Sequence, residues 1–140
     1  MVAYSFQSRF VPKIEDGTKR GTIRGERKRH ARIGEPIQLY QGMRTKYCRK
    51  IIPDPVCVSV MPIRLHIEAH AVAIVNTQFA LGIQARLSPA SFDLFAQDDG
   101  FDDMADMHAF WMKTHGVGVF RGVWIKWDRL SDQEMWALAA

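Results

Sequence analysis

Long apolar runs are missing from this 140-residue chain; no stretch approaches the roughly 20 residues that cross a bilayer as a helix. Its first ten residues, MVAYSFQSRF, lack the charged-then-apolar order of a signal peptide. These absences predict a cytoplasmic protein with no membrane partner. Cysteine is scarce. Cys48 and Cys57 form no CxxC pair and have no histidine at zinc-site spacing beside them, which argues against a disulfide framework or a zinc site. His66 and His70 stand four apart without an HExxH pattern, in a stretch that reads as strand and turn. The acidic residues Asp98, Asp99, Asp102, Asp103 and Asp106 lack the alternating ligands and terminal Glu of a calcium loop, and a helix N-terminus is reason enough for them. Neither a metal nor a cofactor is expected. No repeat, low-complexity tract or Pro/Gly/Ser-rich linker divides the chain, so one domain over 1–140 is expected, as a monomer or weak homodimer.

What is present is enough apolar residue, 47%, to build a core, and an uneven charge. Residues 1–67 hold fourteen Lys/Arg against five Asp/Glu, whereas the remainder holds five against ten. Seven of the basic residues (Lys19, Arg20, Arg24, Arg27, Lys28, Arg29 and Arg32) fall within 19–32. Such a cluster is a footprint for phosphates or for an acidic partner; it is also how a solvated loop reads.

Alternation predicts strands at Val2–Phe6, Thr22–Arg24, Glu35–Tyr40, Tyr47–Ile52, Val56–Ile67, Ala71–Val75, Phe79–Ile83 and Val117–Trp127. Pro62 marks an edge, bend or break in the fifth. Phe10, Val11 and Ile14 share one face of a short helix that Gly17 closes. Ser88 or Ser91 opens a helix through Phe95, which Gly100 breaks. Asp102 is placed to cap a helix bearing Met104, Met107, His108, Trp111 and Met112, which Gly116 ends. A last helical turn is expected within Asp132–Leu138. This pattern predicts an α+β fold in which the strands close into a small β-barrel with two to three flanking helices.

The most distinctive stretch is GTKRGTIR, residues 17–24. As a strand, Thr22-Ile23-Arg24 sends Ile23 to the core and leaves Thr22 and Arg24 on the other face. Lys19 lies just before them, where glycines permit a tight turn. An ammonium, a hydroxyl and a guanidinium then converge on one volume, able to hold a phosphate or a base edge. A partly desolvated lysine is also able to take the proton of a hydroxyl nucleophile. Tyr40, Arg44 and Tyr47 flank a turn and are candidate cleft-wall residues. Trp111, Trp124, Trp127 and Trp136, with Phe120, read either as core or as a stacking platform for bases.

SFQSRFVPKIEDGTKRGTIR followed by GERKRHARIGEPIQLYQGMRT resembles the ASCH domain family, a branch of the PUA-like barrels. The landmarks are Ile14, Gly17, Lys19 and Thr22-Ile23-Arg24, then Gly34 before a strand, then Asp99-Gly100-Phe101 before a helix. The resemblance runs from about residue 4 to 127. It implies a PUA-like β-barrel with a cleft that binds RNA, a nucleoside or a nucleotide. It also implies, by analogy with the hydrolase members, Lys19 as base, Thr22 as nucleophile and Asp99 where those members carry a Glu. In a binding module Lys19 and Arg24 would grip the ligand in the cleft, Thr22 would hydrogen-bond it, and Arg27–Arg32, with Lys28 and Arg29, would track a phosphate backbone; Arg20 is a further ligand-binding candidate. Recognition of RNA or a nucleotide is thereby expected of the cleft; the alternative is hydrolysis of a modified nucleoside such as N4-acetylcytidine or of single-stranded RNA.

Overall fold

A computed structural model of the chain describes residues 2–76 and 89–128. Strand β1 (Val2–Phe6) leads through a single 3-10 turn, Ser8–Phe10, into helix α1 (Val11–Asp16). There follow β2 (Gly21–Gly25), β3 (Ile37–Gln41), β4 (Arg49–Lys50), β5 (Val56–Ile67), β6 (Val72–Asn76), α2 (Pro89–Asp98), α3 (Met104–Thr114) and β7 (Gly118–Asp128). The expected strand at Phe79–Ile83, Ser88, the turn within Asp132–Leu138 and Trp136 lie outside the described residues.

The strands form two sheets, β1-β3-β4 and β2-β7-β5-β6. This corrects the expected barrel: among the described residues the sheets do not close into one ladder. They touch at one isolated bridge, Pro36 to Val56. Around it Gly34 N donates to Cys57 O at 2.7 Å, Cys57 N to Glu35 O at 2.9 Å and Ile37 N to Pro55 O at 2.9 Å. Ile37 N donates to Pro55 O, but Pro55 has no N–H to return the bond to β3. In the first sheet, β1 runs parallel to β3, from Val2 opposite Ile37 to Phe6 opposite Gln41. In the second, β7 is the spine, antiparallel to both β2 and β5.

Strand β5 runs unbroken through Pro62, which pairs with Val123 of β7. Its described pairing to β6 begins only at Ile63, so the missing proline N–H falls beyond that ladder. The long expected strand at Tyr47–Ile52 shrinks to the two residues of β4. The core gathers Tyr4, Ile37 and Leu39 from the first sheet, Leu65, Ile125 and Trp127 from the second, and Ile14, Phe101 and Met107 from around the helices. Among the described residues, no helix is long and apolar enough to cross a membrane.

Helix α3 is capped by Asp103, not Asp102: the Asp103 carboxylate accepts from Asp106 N at 2.9 Å. Asp102 instead pairs with Lys13 at 2.7 Å, out on the surface. Asp103→Ala is therefore expected to lower stability by about 1 kcal/mol. Asp102→Ala, which breaks only an exposed pair, should change it by less than about 0.5 kcal/mol. Urea denaturation of both variants checks the ranking.

Candidate functional site

The residues of GTKRGTIR are brought together by backbone bonds to three elements. Gly17, in the left-handed region at φ 87°, closes α1 and turns the chain back. Lys19 N then donates to Lys13 O at 3.0 Å, Arg20 N to Asp98 O at 2.8 Å, and Trp127 N to Arg20 O at 2.9 Å. The segment is thus tied to α1, to the end of α2 and to β7. Lys19 is 3% exposed. Its Nζ donates to Gly21 O at 2.6 Å and to the main-chain carbonyl of Asp99, and stands 3.5 Å from Asp99 Oδ1.

Asp99 is held by the way α2 ends. Phe101 N donates to Ala96 O at 2.8 Å and Gly100 N to Gln97 O at 3.0 Å, a Schellman closure with Gly100 at φ 97°. Asp99 is the residue at the end of that helix, and its free carbonyl takes the Lys19 ammonium. The same turn places the carboxylate against Lys19, where it is 4% exposed.

Thr22 is buried on β2, and its Oγ1 accepts from Arg24 Nε at 3.0 Å. The two residues share a face, as the alternation predicts, and Ile23 is buried. Arg24 Nη2 donates to Ser5 O at 2.7 Å, and its guanidinium lies 4.7 Å from the Phe6 ring centre and 5.4 Å from that of Tyr4.

Burial acts against both charges of the central pair. Loss of water pulls the Lys19 ammonium down to about 8, although the Asp99 carboxylate partly offsets it. Burial likewise pushes the Asp99 carboxyl up to about 6, against the attraction of Lys19 and Arg24. Each direction means that the fold disfavours the ionised form, so the pair costs stability. Buried, perturbed, opposed groups of this kind concentrate at functional sites. The two carbonyls that receive Lys19 Nζ also suit a neutral amine, which has two hydrogens to donate and one lone pair left over.

Above the pair opens a cavity of about 330 Å³. Lys19, Thr22, Arg24 and Asp99 line it together with an aromatic wall of Phe6, Phe10, Phe101, Phe110, Trp111 and Phe120. The rings pack edge-on or tilted in a chain: Phe10 on Phe101 at 5.4 Å, Phe101 on Phe110 at 5.2 Å, and Trp111 on Phe120 at 4.7 Å. Lys19 Nζ sits 4.9 Å from the Phe10 centre. Of this wall the sequence reading offers Trp111 and Phe120, as core or as a stacking platform, and misses Phe6, Phe10, Phe101 and Phe110 as lining. Trp111 falls on the helix period of α3 and reads as core, which it also is; Phe10 and Phe101 stand beside the two turns, Gly17 and Gly100, that position the charges.

The other candidates lie outside the lining. Arg20 donates to Gly17 O at 3.1 Å and reaches Asp128 at 3.5 Å. Arg27 lies over Tyr4 at 4.5 Å and donates to Arg29 O at 2.9 Å. Arg29 pairs with Glu35, and Lys28 is exposed. Tyr40 is partly buried with the Lys50 ammonium 5.8 Å from its ring, and Arg44 is exposed at φ 67°. Of the acidic cluster, Asp98 pairs with Lys126, Asp102 with Lys13 and Asp106 with Arg9, leaving Asp99 alone in the cleft. Among the described residues no three His, Cys, Asp or Glu side chains converge as a metal site would require.

No family model, curated protein or solved structure matches this chain.

Proposed function

We propose that the cleft binds one nucleobase-sized unit, as a free nucleoside or nucleotide or as part of RNA, in the manner of an ASCH-type site. The observation that carries the reading is the Lys19–Asp99 pair, buried beneath an aromatic-lined cavity of about 330 Å³. That volume is in the range of small-molecule sites, roughly 300–1,000 Å³. Flat apolar walls suit a heteroaromatic ring, and a lysine, a threonine, an arginine and an aspartate supply both hydrogen-bond senses. Arg27 and Arg29 are engaged with their own chain, which favours the cleft over the basic loop as the main source of affinity.

Hydrolysis is a second reading, favoured by the lowered affinity of Lys19 for its proton. In it, Lys19 takes the Thr22 hydroxyl proton as Oγ1 attacks an amide carbonyl, then returns it to the departing amine. Water then hydrolyses the acyl-threonine. Arg24, which donates to Thr22 Oγ1, orients the nucleophile. The base is competent only when neutral, so turnover should climb as pH rises toward and past about 8, and level off above it. A rate that falls over that interval would contradict Lys19 as base.

Wild type and Lys19→Ala, incubated with N4-acetylcytidine and with labelled single-stranded RNA, test both readings. Product lost in the variant supports the hydrolase. Binding without product, lost in the variant, supports recognition alone. Neither binding nor product from wild type would overturn both.

A further inference from the structure

Arg64 and Arg121 belong to neither the cleft nor the basic loop, and they stand opposite each other in the second sheet. They are Cα partners in the antiparallel β5–β7 ladder, whose two strands are the inner ones of that sheet. Directly opposite residues share a face, with Cβ atoms about 5 Å apart. It is the face turned from the cleft, because the adjoining partners Leu65 and Phe120 point to the core and to the cavity lining. The next pairs on the outer face are His66 with Val119 and Pro62 with Val123, so neither strand sets a carboxylate beside the arginines.

Like charges placed directly opposite destabilise a strand pair. An acidic neighbour would relieve them, yet among the described residues neither arginine side chain makes a hydrogen bond or an ion pair. Arg64 Nε is buried without a partner, the one cationic atom so placed among the described residues, and it is out of a ligand's reach. The terminal nitrogens of Arg64 are not buried in this way, and Arg121 is exposed. The Nη nitrogens of both guanidiniums are therefore open and unpaired.

We propose that Arg64 and Arg121 form an anion site on the outer face of the second sheet, for inorganic phosphate or the terminal phosphate of a monoester. The site lies apart from the cleft and does not rest on the nucleobase reading. Each guanidinium presents a planar fork that takes two oxygens. A carboxylate has two oxygens, enough for one fork. A backbone phosphodiester also has only two terminal oxygens, and it carries a single charge. A free or terminal phosphate has at least three, with a charge of about −1.5 to −2 at neutral pH, so both forks can share it. Its charge offsets the repulsion between the arginines, which couples binding to stability.

The test is a titration of the uniformly 15N-labelled full chain, following the arginine Nε–H resonances and the amides of β5 and β7. Inorganic phosphate is expected to move the Arg64 and Arg121 resonances with saturation, while sodium chloride at the same ionic strength leaves them in place. Each resonance is assigned by its loss in Arg64→Gln or Arg121→Gln, and either substitution should weaken phosphate about tenfold, the scale of a hydrogen bond to a charged group. A short RNA with a 5′-phosphate that moves the same resonances more strongly places the phosphate on a nucleic-acid end; a response to inorganic phosphate alone places it on a small molecule. In phosphate-free buffer at low salt, Arg121→Gln should raise the urea midpoint, and added phosphate should raise that of wild type but not that of the variant. No saturable shift with phosphate, or one that chloride reproduces, overturns the inference. So does an equal response to the RNA bearing a 5′-hydroxyl, or a loss of stability in Arg121→Gln without phosphate. The wild-type titration decides the matter even if Arg64→Gln does not fold.

Discussion

Lys19→Met is expected to destabilise the protein by about 3–5 kcal/mol at pH 7 and to abolish ligand binding. The side chain that replaces the lysine is similar in length and fills its space beside Phe6 and Phe10, so the loss is not one of packing. It comes from leaving the Asp99 carboxylate buried without its cation, and the Gly21 and Asp99 carbonyls without their donor. The pH dependence identifies that cause. Asp99 already holds its proton up to about 6, and losing Lys19 raises it further. A carboxyl bound more tightly to its proton in the folded than in the unfolded chain adds stability as pH falls through its folded value. The deficit of Lys19→Met should therefore be smaller at pH 5 than at pH 7. Adding Asp99→Asn should recover part of it at pH 7. Urea denaturation of the two single variants and the double variant at both pH values measures this coupling. A deficit independent of pH and unrelieved by Asp99→Asn would mean the two groups do not interact.

Gly100→Ala has the second large effect, about 2–5 kcal/mol, from two sources. Gly100 sits at φ 97°, where an L-residue is strained by roughly 1–2 kcal/mol. A Cβ there would also come within 2.6 Å of Lys19 Cδ and 2.9 Å of Phe10 Cδ1, so packing must shift at an additional cost of about 1–3 kcal/mol. Gly116 is the matched control: φ is 89°, but nothing stands within 4 Å of a Cβ placed on it. Gly116→Ala should show the backbone cost alone. The displacement of the Lys19 stem further predicts that Gly100→Ala weakens nucleoside binding and Gly116→Ala does not. Equal losses of stability in the two variants would contradict the close approach of Gly100 to Lys19.

These two positions also show what could be read from the sequence. Lys19, Thr22 and Arg24 announce themselves because glycines and strand alternation put unlike polar groups on one short segment. Asp99 entered only through the family resemblance, at Asp99-Gly100-Phe101 before a helix. The four do line one cavity. Trp111 and Phe120 could be read either way, and the phenylalanines of the wall were hidden, because a ring that lines a cleft from inside the core obeys the same periodicity as a ring that only packs. Trp111 does both. Composition likewise cannot tell a free guanidinium from one that lies over Tyr4 or pairs with Glu35. The barrel failed where the two sheets meet in one bridge, beside Pro55, whose missing N–H strand propensity does not count. The N-cap shifted from Asp102 to Asp103 because neighbouring aspartates offer the same chemistry, and only the backbone selects one.

The central claim is that Lys19 and Asp99 form a desolvated pair at the floor of a ligand cleft. Titration of the Lys19 side chain by NMR, through its ε-carbon, tests that claim most directly, in the free protein and with a saturating nucleoside. The account predicts a midpoint near 8 in the free protein, displaced when the nucleoside is bound. A midpoint near the ordinary lysine value of about 10.4, indifferent to every nucleoside tried, would contradict it.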